Sequence, residues 1–183
     1  MKIIFLGSQG SGKSTQAQLV AKKLNLPCIE MGQLFRDRAK DKDPKVQEIK
    51  RALEGGELVP DEIAVKSLRE RLLKPDCANG YVLDGYPRNY AQLEGLQSDI
   101  DKVFYIKVSD QEGIRRLIAR ARHDDNLSII TRRLQIYHQQ TEPLLVYFRQ
   151  KGILVEIDGN QSIEEVADDV QKRLENEFDK RPS

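Results

Sequence analysis

The sequence predicts an α/β fold with an open, five-stranded parallel sheet and helices on both faces. Short apolar runs alternate along the chain with segments of helical periodicity. The run 2–6 is continuously apolar, as is typical of a parallel strand buried on both faces. Right-handed crossovers in such sheets bring ligand sites to the carboxyl ends of the strands.

The strands are predicted at residues 2–6, 27–29, 81–84, 102–108 and 153–157. The first helix should bury Ala17, Val20, Ala21 and Leu24, which recur at helical spacing. Further helices are predicted at residues 46–53 and 62–73, the second with Asp61 as its N-cap.

Capping boxes predict the starts of two more helices. Ser109 with Glu112 opens one, and Ser162 with Glu165 opens the C-terminal one. A long helical stretch over 128–151 contains Pro143, where we expect it to bend.

Composition favours one compact, soluble domain spanning the 183 residues. The net charge of +1 gives no electrostatic case for a nucleic acid or membrane partner. No apolar run approaches the roughly 20 residues of a membrane span, and the chain opens on a strand-like segment. We therefore expect a cytoplasmic protein.

Cysteine and histidine give no sign of a metal centre. Cys28 and Cys77 are far apart and are predicted to be buried free thiols. His123 and His138 have no second ligand at helical spacing, so we interpret both as surface or structural residues.

The segment 7–14, Gly-Ser-Gln-Gly-Ser-Gly-Lys-Ser, fits the phosphate-loop pattern G-x-x-x-x-G-K-[ST]. It lies between a predicted strand and a predicted helix, which is the context that the motif requires. Backbone N–H groups of such a loop surround phosphate oxygens, Lys13 reaches the β- and γ-phosphates, and Ser14 ligates Mg²⁺. The predicted ATP-binding residues here are Gly10, Ser11, Gly12, Lys13, Ser14 and Thr15.

Three further motifs carry a family resemblance. They are Gly-Glu-Leu-Val-Pro at 56–60, Asp-Gly-Tyr-Pro-Arg at 84–88 with Gln92 four residues on, and Thr-Glu-Pro at 141–143. Together with the phosphate loop they resemble the adenylate kinase family over nearly the whole chain. The resemblance implies a P-loop NTPase-type sheet with a small helical NMP-binding insertion at 30–59 and a very short lid at about 121–127.

The resemblance also implies a reaction. It is reversible phosphoryl transfer from Mg²⁺-bound ATP to a nucleoside monophosphate, with AMP as the expected acceptor, performed by a monomer. The implied AMP-binding residues are Met31, Arg36, Glu57, Leu58, Val59, Gly85, Arg88, Gln92, Arg122 and Arg133. Within this set Arg36 and Arg88 would grip the phosphate, and Gln92 would bond the base. Arg120 would face ATP, with Gln161 beside its adenine.

Physical chemistry agrees with these assignments. Phosphoryl transfer has a loose transition state, so catalysis depends on alignment and on cations aimed at the moving group. Arginine binds phosphate oxygens bidentately. The predicted catalytic residues are Lys13, Arg88, Arg120, Arg122 and Arg133. Asp84 ends a buried strand beside the phosphate loop, and we expect it to hold Mg²⁺ through water, with Ser14.

The chain departs from the family pattern in two places that affect function. Met31 replaces a threonine of the monophosphate pocket and offers no good hydrogen bond to a base. Only residues 121–132 separate Arg120 from Arg133, so a long lid does not fit. A short lid should exclude water less well.

Three other functions remain open from the sequence. A UMP/CMP kinase shares the reaction type and nearly all of these residues. A sugar or shikimate kinase with a phosphate loop would leave Arg88, Gln92 and the 56–60 motif unexplained. A nucleotide-binding switch protein without turnover is a third possibility, and its only support is the altered base pocket.

Overall fold

The computed structural model describes residues 1–41, 45–120 and 126–178. Five parallel strands form one sheet in the order β2-β3-β1-β4-β5. The strands are β1 Lys2–Leu6, β2 Cys28–Glu30, β3 Tyr81–Asp84, β4 Lys102–Lys107 and β5 Leu154–Asp158. The predicted fold is confirmed, and β1 and β3 have the predicted bounds.

Helices connect the strands and cover the sheet. They are α1 Lys13–Leu24, α2 Met31–Arg38, α3 Val46–Gly55, α4 Asp61–Leu72, α5 Asp110–Arg120, α6 Leu127–Ile136, α7 Leu144–Gln150 and α8 Ile163–Phe178. Short 3₁₀ turns lie at Pro75–Cys77 and Ala91–Gly95. None of the helices in the described ranges is long and apolar enough to cross a membrane.

The two faces of the sheet bury alternate residues of each central strand. Ile3 and Phe5 of β1 pack with the apolar faces of α1 and α8. Ile4 and Leu6 point to the other side, where α2, α3, α4 and α7 contribute the larger core cluster. Since both faces are covered, β1 is a continuous apolar run rather than an alternating one.

The long helical stretch breaks earlier than Pro143. A π-helical segment, Tyr137–Thr141, separates α6 from α7, and its wide turn is closed by the Glu142 N–H donating to the Tyr137 carbonyl at 2.9 Å. Pro143 has no N–H and its ring collides with the preceding turn, so the distortion lies on its N-terminal side.

Two further local predictions need correction. Asp61 is not an N-cap: Pro60 occupies that position, and Asp61 is the first residue of α4. Cys77 is buried as predicted, whereas Cys28 is only partly buried; both are free thiols.

The capping box at Ser162 and Glu165 is confirmed, with the Ser162 N–H donating to the Glu165 carboxylate at 3.0 Å and the Glu165 N–H to Ser162 Oγ at 3.3 Å.

Candidate active site

A cleft opens at the carboxyl ends of β1 and β3, where the fold predicts a ligand site. Its empty volume is about 1160 Å³, part of which is open to solvent. The phosphate loop forms one wall, α2 and the segment before α4 form another, and α6 with the π-helical segment closes a third. All the predicted AMP-binding residues in the described ranges line this cleft: Met31, Arg36, Glu57, Leu58, Val59, Gly85, Arg88, Gln92 and Arg133.

The phosphate loop follows β1 and leads into α1. Gly10 and Gly12 have φ of 81° and 90°, a left-handed conformation that glycine adopts without strain. Gly10 also approaches α5 closely: a Cβ there would lie 2.3 Å from the carbonyl oxygen of Gly113. The loop is therefore packed against the N-terminal part of α5.

Lys13 begins α1 and is 8% exposed. Its Nζ donates to the carbonyl oxygen of Ser8 at 3.4 Å. Burial lowers the pKa of Lys13 to about 8; nearby Asp84 opposes this effect, and Arg88 and Arg120 add to it. A lysine so placed gains a strong partner when an anion enters the cleft.

Ser14 and Asp84 meet at the inner end of the cleft. The Ser14 hydroxyl donates to Asp84 Oδ2 at 2.5 Å. Asp84 is 6% exposed, and its Oδ1 is buried with no hydrogen-bond partner in the described parts of the chain. Parallel pairing of Phe5 with Asp84 places the carboxylate beside the start of the phosphate loop. The described residues contain no cluster of three or more His, Cys, Asp or Glu side chains suited to a metal ion.

Several arginines line the cleft. Arg88 donates from Nε to the Gly85 carbonyl at 2.8 Å, and burial lowers its pKa. Arg36 donates to the Gln33 side-chain oxygen at 3.0 Å, and Arg133 donates to the Leu53 carbonyl at 3.4 Å. Arg120 lies on the cleft wall as well. The structure therefore brings together four of the five predicted arginines.

Arg122 and His123 lie outside the described residues, as does most of the predicted lid. The predicted adenine-side residue Gln161 is exposed and is not on the cleft wall. Its neighbour Asn160 donates from its backbone and side chain to Asp158 Oδ1 at 2.9 and 2.7 Å. Thr15 is also exposed, one residue beyond the cleft wall at Ser14.

The amide of Gln92 has partners within the protein. Its Oε1 accepts from the Arg88 backbone N–H at 2.8 Å, and its Nε2 donates to Asp61 Oδ1 at 2.8 Å. The same Asp61 oxygen accepts from Asn89 Nδ2 at 2.9 Å, and the side-chain oxygen of Asn89, Oδ1, accepts from the Gln92 backbone N–H at 3.0 Å. Gln92 is 2% exposed and reaches the cleft from this network.

Sequence reasoning missed two cleft residues from the π-helical segment. The Thr141 hydroxyl donates to the Arg88 carbonyl at 2.7 Å, and the buried Tyr137 lines the cleft. The Thr-Glu-Pro motif at 141–143 marked this region but gave no role to its threonine. Thr141 supports the backbone of a predicted phosphate ligand.

Cationic side chains thus converge on the phosphate loop in a cleft at the carboxyl edge of the sheet. That arrangement suits transfer of a phosphoryl group, whose spread negative charge needs several fixed donors. Fold and cleft together define a P-loop phosphotransferase.

Comparison with known proteins narrows the class. The sequence profile of the adenylate kinase family matches residues 5–153. An adenylate kinase of Leptospira biflexa is 37% identical over 184 aligned residues, which cover 94% of this chain and 99% of the relative. An adenylate kinase of Clostridium botulinum is 34% identical, covering 95% and 98%, and one of Pseudarthrobacter chlorophenolicus is 36% identical, covering 94% and 96%. The chain belongs to the adenylate kinase family.

Proposed function

We propose that this protein catalyses reversible phosphoryl transfer between ATP and AMP, giving two molecules of ADP. The observation that supports this proposal most directly is that Lys13 of the phosphate loop lines one continuous cleft with three arginines predicted for the monophosphate, Arg36, Arg88 and Arg133. Two anionic nucleotides can then meet there with their phosphates facing each other.

The proposed roles divide along the cleft. The loop 7–14 and Arg120 bind the ATP phosphates, with Gln161 on the adenine side. Arg36 and Arg88 bind the phosphate of AMP, and the segment 57–59, Gly85 and Gln92 bind its nucleoside. Arg133, which lines the cleft, and Arg122 stabilise the moving group. These roles rest on the family resemblance and, for the residues that line the cleft, on their position there; Gln161 is assigned from the resemblance alone.

The chemistry needs no nucleophilic side chain. A phosphate oxygen of AMP attacks the γ-phosphorus of ATP, the bond from that phosphorus to the β,γ-bridging oxygen breaks, and ADP leaves. Lys13 and the arginines hold the equatorial oxygens as charge shifts toward the leaving group. Burial of Lys13 and Arg88 strengthens this effect, because water screens their charges little.

The Ser14–Asp84 pair fits Mg²⁺. A hydroxyl and a carboxylate are hard oxygen ligands, and Asp84 Oδ1, which has no hydrogen-bond partner among the described residues, leaves an acceptor for a metal-bound water. When bound with ATP, Mg²⁺ would neutralise charge on the β- and γ-phosphates. Ser14 and Asp84 would orient it, and Asp84 also offsets the charge of Lys13.

The wider assignment remains a proposal. We propose a single domain with an NMP-binding subdomain at 30–59 and a short lid near 121–127. The NMP-binding subdomain contains α2, which carries both Met31 and Arg36 to the cleft wall, and α3. A monomeric, cytoplasmic enzyme is also expected from the family resemblance, and size-exclusion chromatography with light scattering tests the oligomeric state.

A UMP/CMP kinase is the second candidate, and Met31 favours it. This side chain is 1% exposed and lines the cleft where the family usually has a threonine. A thioether gives shape and polarizable contact to a base but no strong hydrogen bond, so Met31 does not select adenine through a hydrogen bond.

A coupled assay decides between these functions. Purified protein with Mg²⁺ and ATP is given AMP, UMP or CMP in turn, and ADP is measured. We expect AMP to give the highest kcat/KM. A preference of tenfold or more for UMP or CMP would change the substrate but keep the reaction. Lack of turnover with every monophosphate would contradict the proposed function.

A further inference from the structure

The buried amide of Gln92 can adopt only one orientation in this fold. Its two ends face groups of opposite character: the Arg88 backbone N–H, which only donates, and the Asp61 carboxylate, whose ionised form only accepts. A rotation of the amide by 180° would place donor against donor and acceptor against acceptor. Hydrogen-bond chemistry therefore puts the oxygen toward Arg88 and the nitrogen toward Asp61.

Asp61 is itself held in place. It begins α4, and Asn89 Nδ2 donates at 2.9 Å to the oxygen that also accepts from Gln92. Asn89 in turn accepts from the Gln92 backbone N–H at 3.0 Å. Asp61 and Asn89 do not line the cleft, whereas Gln92 does. Asp61 is therefore placed to act through Gln92 rather than on a ligand.

The oriented amide still has capacity for a ligand. An amide oxygen has two lone pairs and an amide nitrogen two hydrogens. In the described parts of the chain each of these atoms of Gln92 has one partner. One acceptor position and one donor position remain, in a fixed order, on a residue at the cleft wall.

Nucleobases fall into two classes according to how they match one acceptor and one donor position in this fixed order. Adenine and cytosine present an amino group beside an unprotonated ring nitrogen, which matches an amide oxygen beside an amide N–H. Hypoxanthine and uracil present a carbonyl beside a ring N–H, which is the reverse order. An amide that can rotate serves both classes, and one that cannot rotate serves only the first.

We propose that Asp61 is a specificity-determining positioning residue: by fixing the amide of Gln92, it selects monophosphates whose base carries an amino group beside an unprotonated ring nitrogen. The proposal rests on the proposed function in one respect, that Gln92 faces the base of the acceptor. It predicts a preference for AMP over IMP, and, among the poorer pyrimidine acceptors, for CMP over UMP.

The test compares kcat/KM for AMP and IMP, and for CMP and UMP, at saturating ATP in three proteins. They are the parent, Asp61→Asn and Asp61→Leu. Asparagine keeps a carbonyl oxygen where Asn89 and Gln92 both donate, so the parent preference should persist. Leucine keeps the bulk but offers no acceptor, so the AMP to IMP ratio should fall on the order of tenfold, as expected for losing one hydrogen bond to a charged group.

The AMP to IMP ratio of kcat/KM distinguishes a change in the orientation of the Gln92 amide from partial unfolding, because a partly unfolded sample loses activity with both acceptors alike. Asp61→Ala provides a second variant if Asp61→Leu does not fold. An unchanged AMP to IMP ratio in the variant that folds would overturn the proposal, and so would a parent enzyme that uses IMP as well as AMP. A parent without activity toward AMP would instead reject the proposed function.

Discussion

At the scale of single residues, Lys13 shows a conflict between function and stability. Its pKa of about 8 in the fold, against 10.5 when exposed, means that burying the ammonium costs roughly 3 kcal/mol at neutral pH. The full cost applies below about pH 8, where the lysine is charged both folded and unfolded. It declines as the pH rises toward 10.5.

Lys13→Met should therefore raise the melting temperature of the nucleotide-free protein while lowering kcat by a factor on the order of 10²–10⁴. Methionine fills the same space without a charge. Differential scanning fluorimetry and the coupled assay measure the two effects. Lys13→Arg is the matched control, because it keeps a buried charge and should bring no gain in stability. Near-normal turnover of Lys13→Met would remove Lys13 from the catalytic set.

Met31 should loosen base selection without abolishing AMP use. A missing neutral hydrogen bond changes affinity by about threefold to tenfold. Met31→Thr should accordingly raise the preference for AMP over UMP and CMP by about that factor. The measurement is kcat/KM for the three acceptors in both proteins. Met31→Leu, which is also apolar, is the control and should leave the ratios near those of the parent.

At the scale of elements, the sequence predicts the strands that are buried on both faces. It misses the elements whose shape depends on contacts with residues far away in the chain. Strands β1 and β3 are buried on both faces, so their apolar runs mark their ends to the residue. Pro143 shows that the helix around it is broken, but the π-helical turn also depends on the Thr141 bond to the Arg88 carbonyl, 53 residues away in the chain. The sequence around Thr141 does not indicate that this hydrogen bond forms.

Helix α5 supports the phosphate loop through Gly113. A Cβ on Gly113 would lie 2.8 Å from the Gln9 carbonyl oxygen, which is backbone of the loop, so the loop would have to move. Gly113→Ala should raise the Kd for ATP by about tenfold and cost about 1–3 kcal/mol in stability. Isothermal titration with ATP checks this. Gly152→Ala is a control for stability alone, since that glycine does not line the cleft and has φ of 70°.

His138 links the π-helical segment to the start of α5. Its Nδ1 lies 2.8 Å from Glu142 Oε2 and its Nε2 lies 2.9 Å from Asp110 Oδ2, while the Tyr137 ring contacts it edge-on. The hydrogen bond with Glu142 raises the pKa of His138; burial opposes this effect, and the hydrogen bond with Asp110 adds a smaller upward contribution. Its stabilising contribution is therefore complete below the unfolded pKa of about 6.5 and is lost as the pH rises through the folded value.

His138→Gln should thus lower the melting temperature at pH 5.5 more than at pH 9. The side chain is 43% exposed, so solvent screening limits the effect to about 0.2–1 kcal/mol. Thermal melts of both proteins across this range give the difference. A gap between the two proteins that does not depend on pH would mean that the ion pairs contribute nothing.

At the scale of the whole molecule, the sequence predicts the chemistry of the cleft better than it predicts the hydrogen bonds that hold the cleft residues in place. Lys13 and Ser14 belong to a motif whose spacing is fixed by the nucleotide phosphates that it binds, so their roles can be predicted without a structure. Asp61 has the sequence position of a cap, yet it binds Asn89 and Gln92, 28 and 31 residues away. Such contacts follow from the packing of α4 against the turn at Ala91–Gly95 and have no local signal.

The two nucleotide sites proposed for this cleft give a prediction for the whole fold. A mimic with two adenosines joined by five phosphates should bind at least tenfold more tightly than ATP, because the linker makes the second binding event intramolecular. Titration calorimetry compares it with ATP and with adenosine tetraphosphate, which adds charge but no second nucleoside. Arg36→Ala should weaken the mimic and leave ATP almost unchanged, since Arg36 lines the cleft and is proposed to bind the phosphate of the monophosphate. If the mimic bound no better than ATP, or if Arg36→Ala weakened both equally, the cleft would hold one nucleotide and not two.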